Sequence, residues 1–290
     1  MRPEIQAVEE ALEREGYIAD PAIATALHLA VAMGKPLLIE GDAGVGKTEI
    51  AKVLARILDA ELIRLQCYEG LDSQTALYEW NYPRQILHLK AAEGQDAARR
   101  EAAIFSREYL LERPLLRAIT RPSPPVLLID EIDRADDGFE AFLLELLSEF
   151  QVTIPELGPI RAEHPPRVVL TSNHTREIGD ALRRRCLYLY VEHPSLEKEV
   201  RIIRARVPEA GERLSGEAAR FVQALRARSL VKPPGVAETL DWTQALLKLR
   251  VEELEPEVVG QTIGCLLKDR RDIADLDETT VASLVDQAKG

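Results

Sequence analysis

Cysteine is scarce in this chain, with three in 290 residues. Cys67, Cys186 and Cys265 lie far apart and show no Cys-x-x-Cys spacing, so the pattern offers neither a redox pair nor a zinc framework. Plain thiols of a reducing compartment are the expectation. Long apolar runs are also missing, and none approaches the ~18 residues that a membrane span needs. The first residues, MRPEIQAVEEALEREGYIADP, carry acids and no apolar core, which does not suit a secretory signal. A cytoplasmic protein is expected. Positive charge is in deficit: 37 basic residues face 49 acidic ones, for a net charge of -12. The deficit is uneven, with 22 basic and 32 acidic residues over 1–193 and 15 and 17 over 194–290. An acidic surface repels phosphate backbones, so general nucleic-acid binding fits poorly. Repeats and low-complexity segments are absent too.

What is present is an alternation of buried-strand and helix patterns. Asp20-Pro21 reads as an N-cap followed by proline at the first helical position, and the helix AIATALHLAVAMG should end at Gly34. KPLLIE and ELIRLQ are short strands, and between them KTEIAKVLARIL has Ile50, Val53, Leu54, Ile57 and Leu58 at helical spacing. Residues 67–95 look like an insertion of mixed structure, and FSREYLLERPLLRAI (105–119) reads as a helix. VLLIDE (126–131) is apolar enough to be a central strand. GFEAFLLELLSEF sets Phe139, Phe142, Leu143, Leu146, Leu147 and Phe150 on one helical stripe, a core face. QVTIPELGPIRAE reads as a hairpin, RVVLTSN and CLYLYVEHP as further strands. Such alternation predicts an α/β fold with a parallel sheet covered by helices. After Pro194 the chain turns to amphipathic helices alone, which predicts an α/β core over 1–193 and an all-helical domain over 194–290.

The chemistry concentrates in two places. Gly41, Asp42, Ala43, Gly44, Val45, Gly46, Lys47 and Thr48 fit G-x-x-x-x-G-K-[ST] between a strand and a helix, with Glu49 next in that helix. In that setting glycines let backbone amides turn inward as an anion nest, and the helix N-terminus adds partial positive charge. Lys47 would neutralise β- and γ-phosphate oxygens and Thr48 would ligate Mg²⁺, so the turn is read as the seat of a nucleoside triphosphate. VLLIDE then supplies Asp130, placed to hold Mg²⁺ through water, and Glu131, placed to activate the attacking water.

The order of these parts is similar to that of AAA+ ATPases: the loop at 41–48, LLIDEIDRA at 127–135, a strand ending in Asn173, ALRRRC at 181–186 and a trailing helical domain. DEIDRA followed by LLELLSEFQVTI resembles the MoxR branch. Within it, YEGLDSQTALYEWNYPRQILHL and PPGVAETLDWTQAL look like CoxD-type proteins, which are tied to maturation of molybdenum-containing carbon monoxide dehydrogenase. The resemblance runs from about residue 16 to the end. It implies a P-loop core with a smaller helical lid, and hydrolysis of ATP with Mg²⁺. It implies a ring of identical subunits, hexameric in this branch, together with a von Willebrand factor A domain partner and a client metalloenzyme. Carried over by position, Asn173 would align the attacking water with Glu131. Arg184 and Arg185 match the arginine-finger region, which in AAA+ rings reaches the nucleotide of a neighbouring subunit; three consecutive arginines also suit a solvated turn or an intrachain pairing site. Tyr17 and Ile18 resemble the segment that packs on the adenine base, or staple the following helix. The insert at 67–95 and the hairpin at 151–163 match elements that face clients in this branch. Trp80, Tyr78 and Tyr82 would either grip a partner or pack within the insert. One departure stands out: where relatives place a phosphate-sensing arginine at the start of a lid helix, this chain has Ala237, Glu238 and Thr239, which leaves another basic residue such as Lys232 to couple the lid to nucleotide. Two other readings remain, an AAA+ nucleic-acid motor or loader, and a nucleotide-gated scaffold with little turnover.

Overall fold

In the computed structural model residues 2–91 and 103–290 are described, and each element follows from local chemistry. Helix α1 (Pro3–Arg14) precedes α2 (Pro21–Met33), which begins on its proline and stops where Gly34 takes φ +62°. Strand β1 (Leu37–Gly41) leads through the glycine turn into α3 (Lys47–Ile57), and β2 (Leu62–Gln66) follows. The insert folds as α4 (Ser73–Leu77), β3 (Tyr78–Trp80) and α5 (Tyr82–Ala91). The Asp72 side chain caps α4 by accepting the Thr75 N–H at 2.7 Å.

The single helix expected over 105–119 is not formed. A 3₁₀ turn at Arg107–Tyr109 gives way to β4 (Leu110–Glu112), which pairs antiparallel with β3, and α6 (Pro114–Thr120) starts only at the proline. Proline lacks the N–H that a continuing helix would use and its ring crowds the preceding turn. The freed Leu110–Glu112 backbone finds its partners in Tyr78–Trp80 instead. Tyr78 and Trp80 are consequently buried, with Trp80 edge-on to Phe105 at 5.4 Å, whereas Tyr82 is 59% exposed. Packing against the core, including Phe105 beyond the insert, takes two of the three aromatics. Part of the insert, 92–95, lies outside the described residues.

Beyond it run β5 (Val126–Asp130), α7 (Asp137–Glu149), the hairpin β6 (Gln151–Ile154) and β7 (Gly158–Arg161), β8 (Arg167–Ser172), the short α8 (Asp180–Arg183) and β9 (Leu187–Val191). The main sheet has the order β2-β5-β8-β1-β9, and the β2–β5, β5–β8 and β8–β1 pairings are parallel. β1 and β5 are buried at every residue, as strands covered on both faces must be. Register sets Gln66 opposite Asp130 and Glu40 opposite Ser172, so polar side chains gather where these strands end. The α7 stripe packs as its spacing requires: Phe139, Leu143, Leu146 and Leu147 are buried, and Phe142 and Phe150 lie against the same core.

The C-terminal part is helical: α9 (Leu196–Arg206), α10 (Gly211–Arg226), α11 (Val236–Lys248), α12 (Pro256–Thr262), α13 (Arg270–Ala274) and α14 (Glu278–Lys289). Its own core centres on Phe221 and Trp242, rings 5.2 Å apart, and the Trp242 indole donates to Thr262 Oγ1 at 2.9 Å. By packing, the chain falls into two compact units. One takes the first residues to Val8, Pro21–Glu40 and Ile50–Leu189; the other takes Glu9–Asp20, Gly41–Glu49 and Tyr190–Gly290. No helix among the described residues is long and apolar enough to cross a membrane.

Candidate functional site

The glycine turn is built from backbone angles that side chains resist. Gly41, Gly44 and Gly46 take φ of +154°, +80° and +95°. At Gly41 a Cβ would fall 2.2 Å from the Val191 carbonyl oxygen, and at Gly44 it would fall 2.9 Å from Gly235 Cα. Val236 donates its N–H to the Gly44 carbonyl at 2.9 Å, so the N-terminus of α11 clasps the turn. Lys47, 6% exposed, donates from Nζ to the carbonyls of Gly41 (2.8 Å) and Asp42 (2.6 Å). A loop of positive-φ glycines curled around an ammonium group at the start of a helix is a cradle for anionic oxygens. Thr48 is half-buried one residue further along, and Asp42 and Ala43 are exposed, with the Asp42 carboxylate 3.4 Å from His193 Nε2.

Beside the turn lies a cavity of about 200 Å³ whose walls include Tyr17, Ile18, Val45, Gly46, Val236 and Leu240. Its surfaces are mostly apolar, suited to a flat base. The Tyr17 phenol is pushed up by burial first, then by the charges of Asp20 and Glu49. Two cations reach the same cavity, Lys198, paired with Asp20, and Arg206, 3.9 Å from Glu49. Lys232, which the sequence offers as a stand-in for the absent phosphate-sensing arginine, instead lines a different cavity with Asp42, Ala43 and His193. At the substituted position Glu238 caps Gly235 N–H at 3.0 Å, and the buried Thr239 hydroxyl bonds Glu199 at 3.0 Å. Glu199 in turn is held by Arg226 through two bonds of 2.7 and 2.8 Å, an internal pairing of the helical part.

The carboxylates sit at the ends of β5 and β8. Asp130 is 3% exposed; its Oδ1 accepts from the Thr171 hydroxyl, and its Oδ2 accepts from Arg64 Nε at 3.0 Å and Nη2 at 2.6 Å. Glu131 has φ +56°, uncommon for a residue with a side chain, and its N–H donates to Thr171 Oγ1 at 3.0 Å. That strained turn leaves the carboxylate part-exposed, 3.8 Å from Arg134. Asp133 ties in the end of β8: its Oδ2 accepts the N–H groups of Asn173 (3.2 Å) and Thr175 (2.9 Å) and the Thr175 hydroxyl (2.6 Å). Burial alone would raise this carboxyl, but the bonds from Thr175 and Asn173 outweigh it and hold it low. Cys67, whose N–H donates to the Asp130 carbonyl at 2.8 Å, has its thiol pushed up to about 12 by burial first and then by Asp130.

The arginine run is dispersed by its local partners. Arg183 donates to Glu40 at 2.7 Å and lies over the Tyr188 ring. Arg185 donates to Ser148 Oγ at 3.1 Å. Arg184 is 82% exposed and lies 3.9 Å from Asp180, one turn away. Strand register thus brings Asp130, Glu131 and Asn173 to one end of the sheet. Arg64, Thr171, Asp133 and Glu40, which also meet there, escape a linear reading. The acid at the fourth place of DEID, Asp133, is the one signal for any of them.

The model of the AAA domain, dynein-related subfamily, matches residues 36–186, more than half of the chain. The chain belongs to this family of AAA domains. That family is one of P-loop ATPases, which use ATP with Mg²⁺. Among curated relatives, the AAA chain is 25% identical over 213 residues to the gas vesicle ATPase GvpN of Haloferax mediterranei, covering 68% of this chain and 58% of the relative. The gas vesicle ATPase GvpN1 of Halobacterium salinarum is 25% identical over 211 residues with the same coverage. An uncharacterised Staphylococcus aureus protein is 24% identical over 224 residues, covering 75% of this chain and 77% of that one. The AAA chain therefore spans just under three-fifths of the two gas vesicle relatives. Among solved structures, a P216G mutant of Thermotoga maritima RuvB superposes with a TM-score of 0.52 at 16% identity, covering 97% of this chain and 76% of that one. At that identity the likeness is one of fold.

Proposed function

We propose that this AAA domain is the ATP-hydrolysing subunit of a ring, hexameric and of the MoxR kind, that remodels a client protein. Residues 1–193 would form its nucleotide-binding core and 194–290 its lid. The observations that carry the reading are, each within its own unit, a glycine cradle closed on Lys47 and a buried Asp130 followed by the strained, part-exposed Glu131. Thr48 and Asp130 are hard oxygen donors of the type Mg²⁺ takes, and the metal neutralises charge on the phosphates when bound. Tyr17 and Ile18 would pack on the adenine, and the amides of residues 41–49 would hold the phosphates. Lys47 Nζ exchanges its carbonyl partners for β- and γ-phosphate oxygens. Glu131 takes a proton from the attacking water as its oxygen bonds to γ-phosphorus, and ADP leaves with the electron pair of the broken bond. Asn173 orients that water. Arg184 of a neighbouring subunit, with Arg185 as the alternative, stabilises charge on the transferring group; such a contact is worth about 10³ to 10⁵ in rate, roughly 4 to 7 kcal/mol.

A protein client in the cytoplasm suits the net charge of -12 better than a nucleic acid does. The MoxR resemblance supports a von Willebrand factor A domain partner and a metalloenzyme client of the molybdenum hydroxylase type. The gas vesicle relatives support a second client class, a component of a gas vesicle. The test of the hydrolytic assignment is Glu131→Gln, which should keep ATP affinity and abolish turnover, so that ATP stays bound through gel filtration. Turnover near that of the parent chain would overturn the assignment.

A further inference from the structure

Glu40 is the last residue of β1 before Gly41, and its side chain is 2% exposed. A carboxylate so placed needs compensation, and three side chains distant in sequence supply it. Arg183 Nη2 donates to Oε2 at 2.7 Å. His174 Nε2 lies 3.3 Å from the same oxygen. The Tyr188 phenol is raised by burial first and then by hydrogen bonding to Glu40 and by its charge, while the Arg183 guanidinium lies 5.4 Å over the Tyr188 ring.

The chain neighbours of these partners give the cluster its interest. Arg183 ends α8 and immediately precedes Arg184; His174, at φ +59°, immediately follows Asn173. A fold staple at this place needs no charge, since apolar packing would serve at the end of β1. A carboxylate binding Arg183 sets the direction of one guanidinium in the run and, through the shared backbone, the turn that carries the next.

We propose that Glu40 is a positioning residue: through Arg183 it fixes the turn that presents Arg184 to the neighbouring subunit. Loss of its charge disables the arginine this subunit lends, not the nucleotide site it owns. The proposal rests on the reading of Arg184 as a finger acting in trans. A finger displaced by about an ångström loses on the order of 10²-fold in rate.

The test mixes variants in one assay. Glu40→Gln, close in shape to the parent, should keep its affinity for a fluorescent ATP analogue and its KM while kcat falls about 10- to 100-fold. Mixed with Lys47→Ala, whose own site is empty but whose finger is intact, it should recover turnover, because the sound site of one subunit then meets the sound finger of the other. Arg184→Ala mixed with Lys47→Ala is the control. If Arg184→Ala recovers and Glu40→Gln does not, or if Glu40→Gln loses ATP affinity or keeps full turnover, Glu40 acts elsewhere and the proposal fails while the finger stands. If Arg184→Ala does not recover, the finger reading fails and takes the proposal with it. Should Glu40→Gln melt early, Arg183→Gln, at a side chain 37% exposed, carries the same test with the same outcomes.

Discussion

At the scale of single residues, the Arg64 guanidinium is the unexpected occupant of the site. Both its bonds fall on one oxygen of Asp130, the carboxylate assigned to the metal, while Gln66 holds its Nη2. Arg64 is half exposed, so the pair is screened and worth about 1 kcal/mol. A cation bound there competes with a divalent ion for the same charge. Arg64→Gln should therefore lower the Mg²⁺ concentration needed for half-maximal ATP binding by about fivefold, read from a fluorescent nucleotide titrated with Mg²⁺. A higher Mg²⁺ requirement would mean that Arg64 orients Asp130 for the metal instead of shielding it. This residue also marks the limit of what the sequence discloses. The glycine turn is legible because all its parts are contiguous, and Asp130-Glu131 because an apolar strand announces its own end. Arg64, Thr171 and Glu40 reach the site through strand register across 40 to 143 residues, and no local pattern encodes register.

At the scale of elements, the sheet and the α7 stripe were readable from periodicity because burial acts on every residue of such a segment. The helix expected over 105–119 was not, since its leucines suit both helix and strand until β3 is there to pair with Leu110–Glu112. The contact between the glycine turn and α11 belongs to this scale. Gly235 has an ordinary φ of -84°, yet a Cβ there would fall 2.6 Å from Gly44 Cα. Alanine is thus excluded by the neighbouring backbone and not by its own angles. Gly235→Ala replaces no residue assigned to nucleotide, but its Cβ meets Gly44 of the loop and must push the turn and the helix start apart, stretching the Val236 to Gly44 bond. The expected result is a loss of ATP affinity of about tenfold, the equivalent of one hydrogen bond to the loop, with the melting temperature of the nucleotide-free chain little changed. Unaltered affinity in an equilibrium titration would show that the turn holds its shape without the clasp.

At the scale of the whole molecule, the question is where catalysis is completed. Asp130, Glu131 and Asn173 end strands of one sheet, whereas Arg184 is 82% exposed and lies 3.9 Å from a carboxylate that is itself 86% exposed. Such a pair holds the guanidinium only weakly, leaving it available to a phosphate on another subunit, where a dry site would make its charge count far more. If the finger acts between subunits, an isolated chain binds ATP but turns it over slowly. Turnover per subunit, measured across a dilution series at saturating Mg²⁺, should rise steeply over a narrow range of protein concentration. Arg184→Ala should stay flat at the lower level across the same range. Sedimentation at each dilution then ties the rise to assembly: coincidence of the two transitions supports a shared site. A constant rate from a sedimenting monomer would instead mean that one chain contains all the chemistry, and the exposed arginine would have to be assigned to the client.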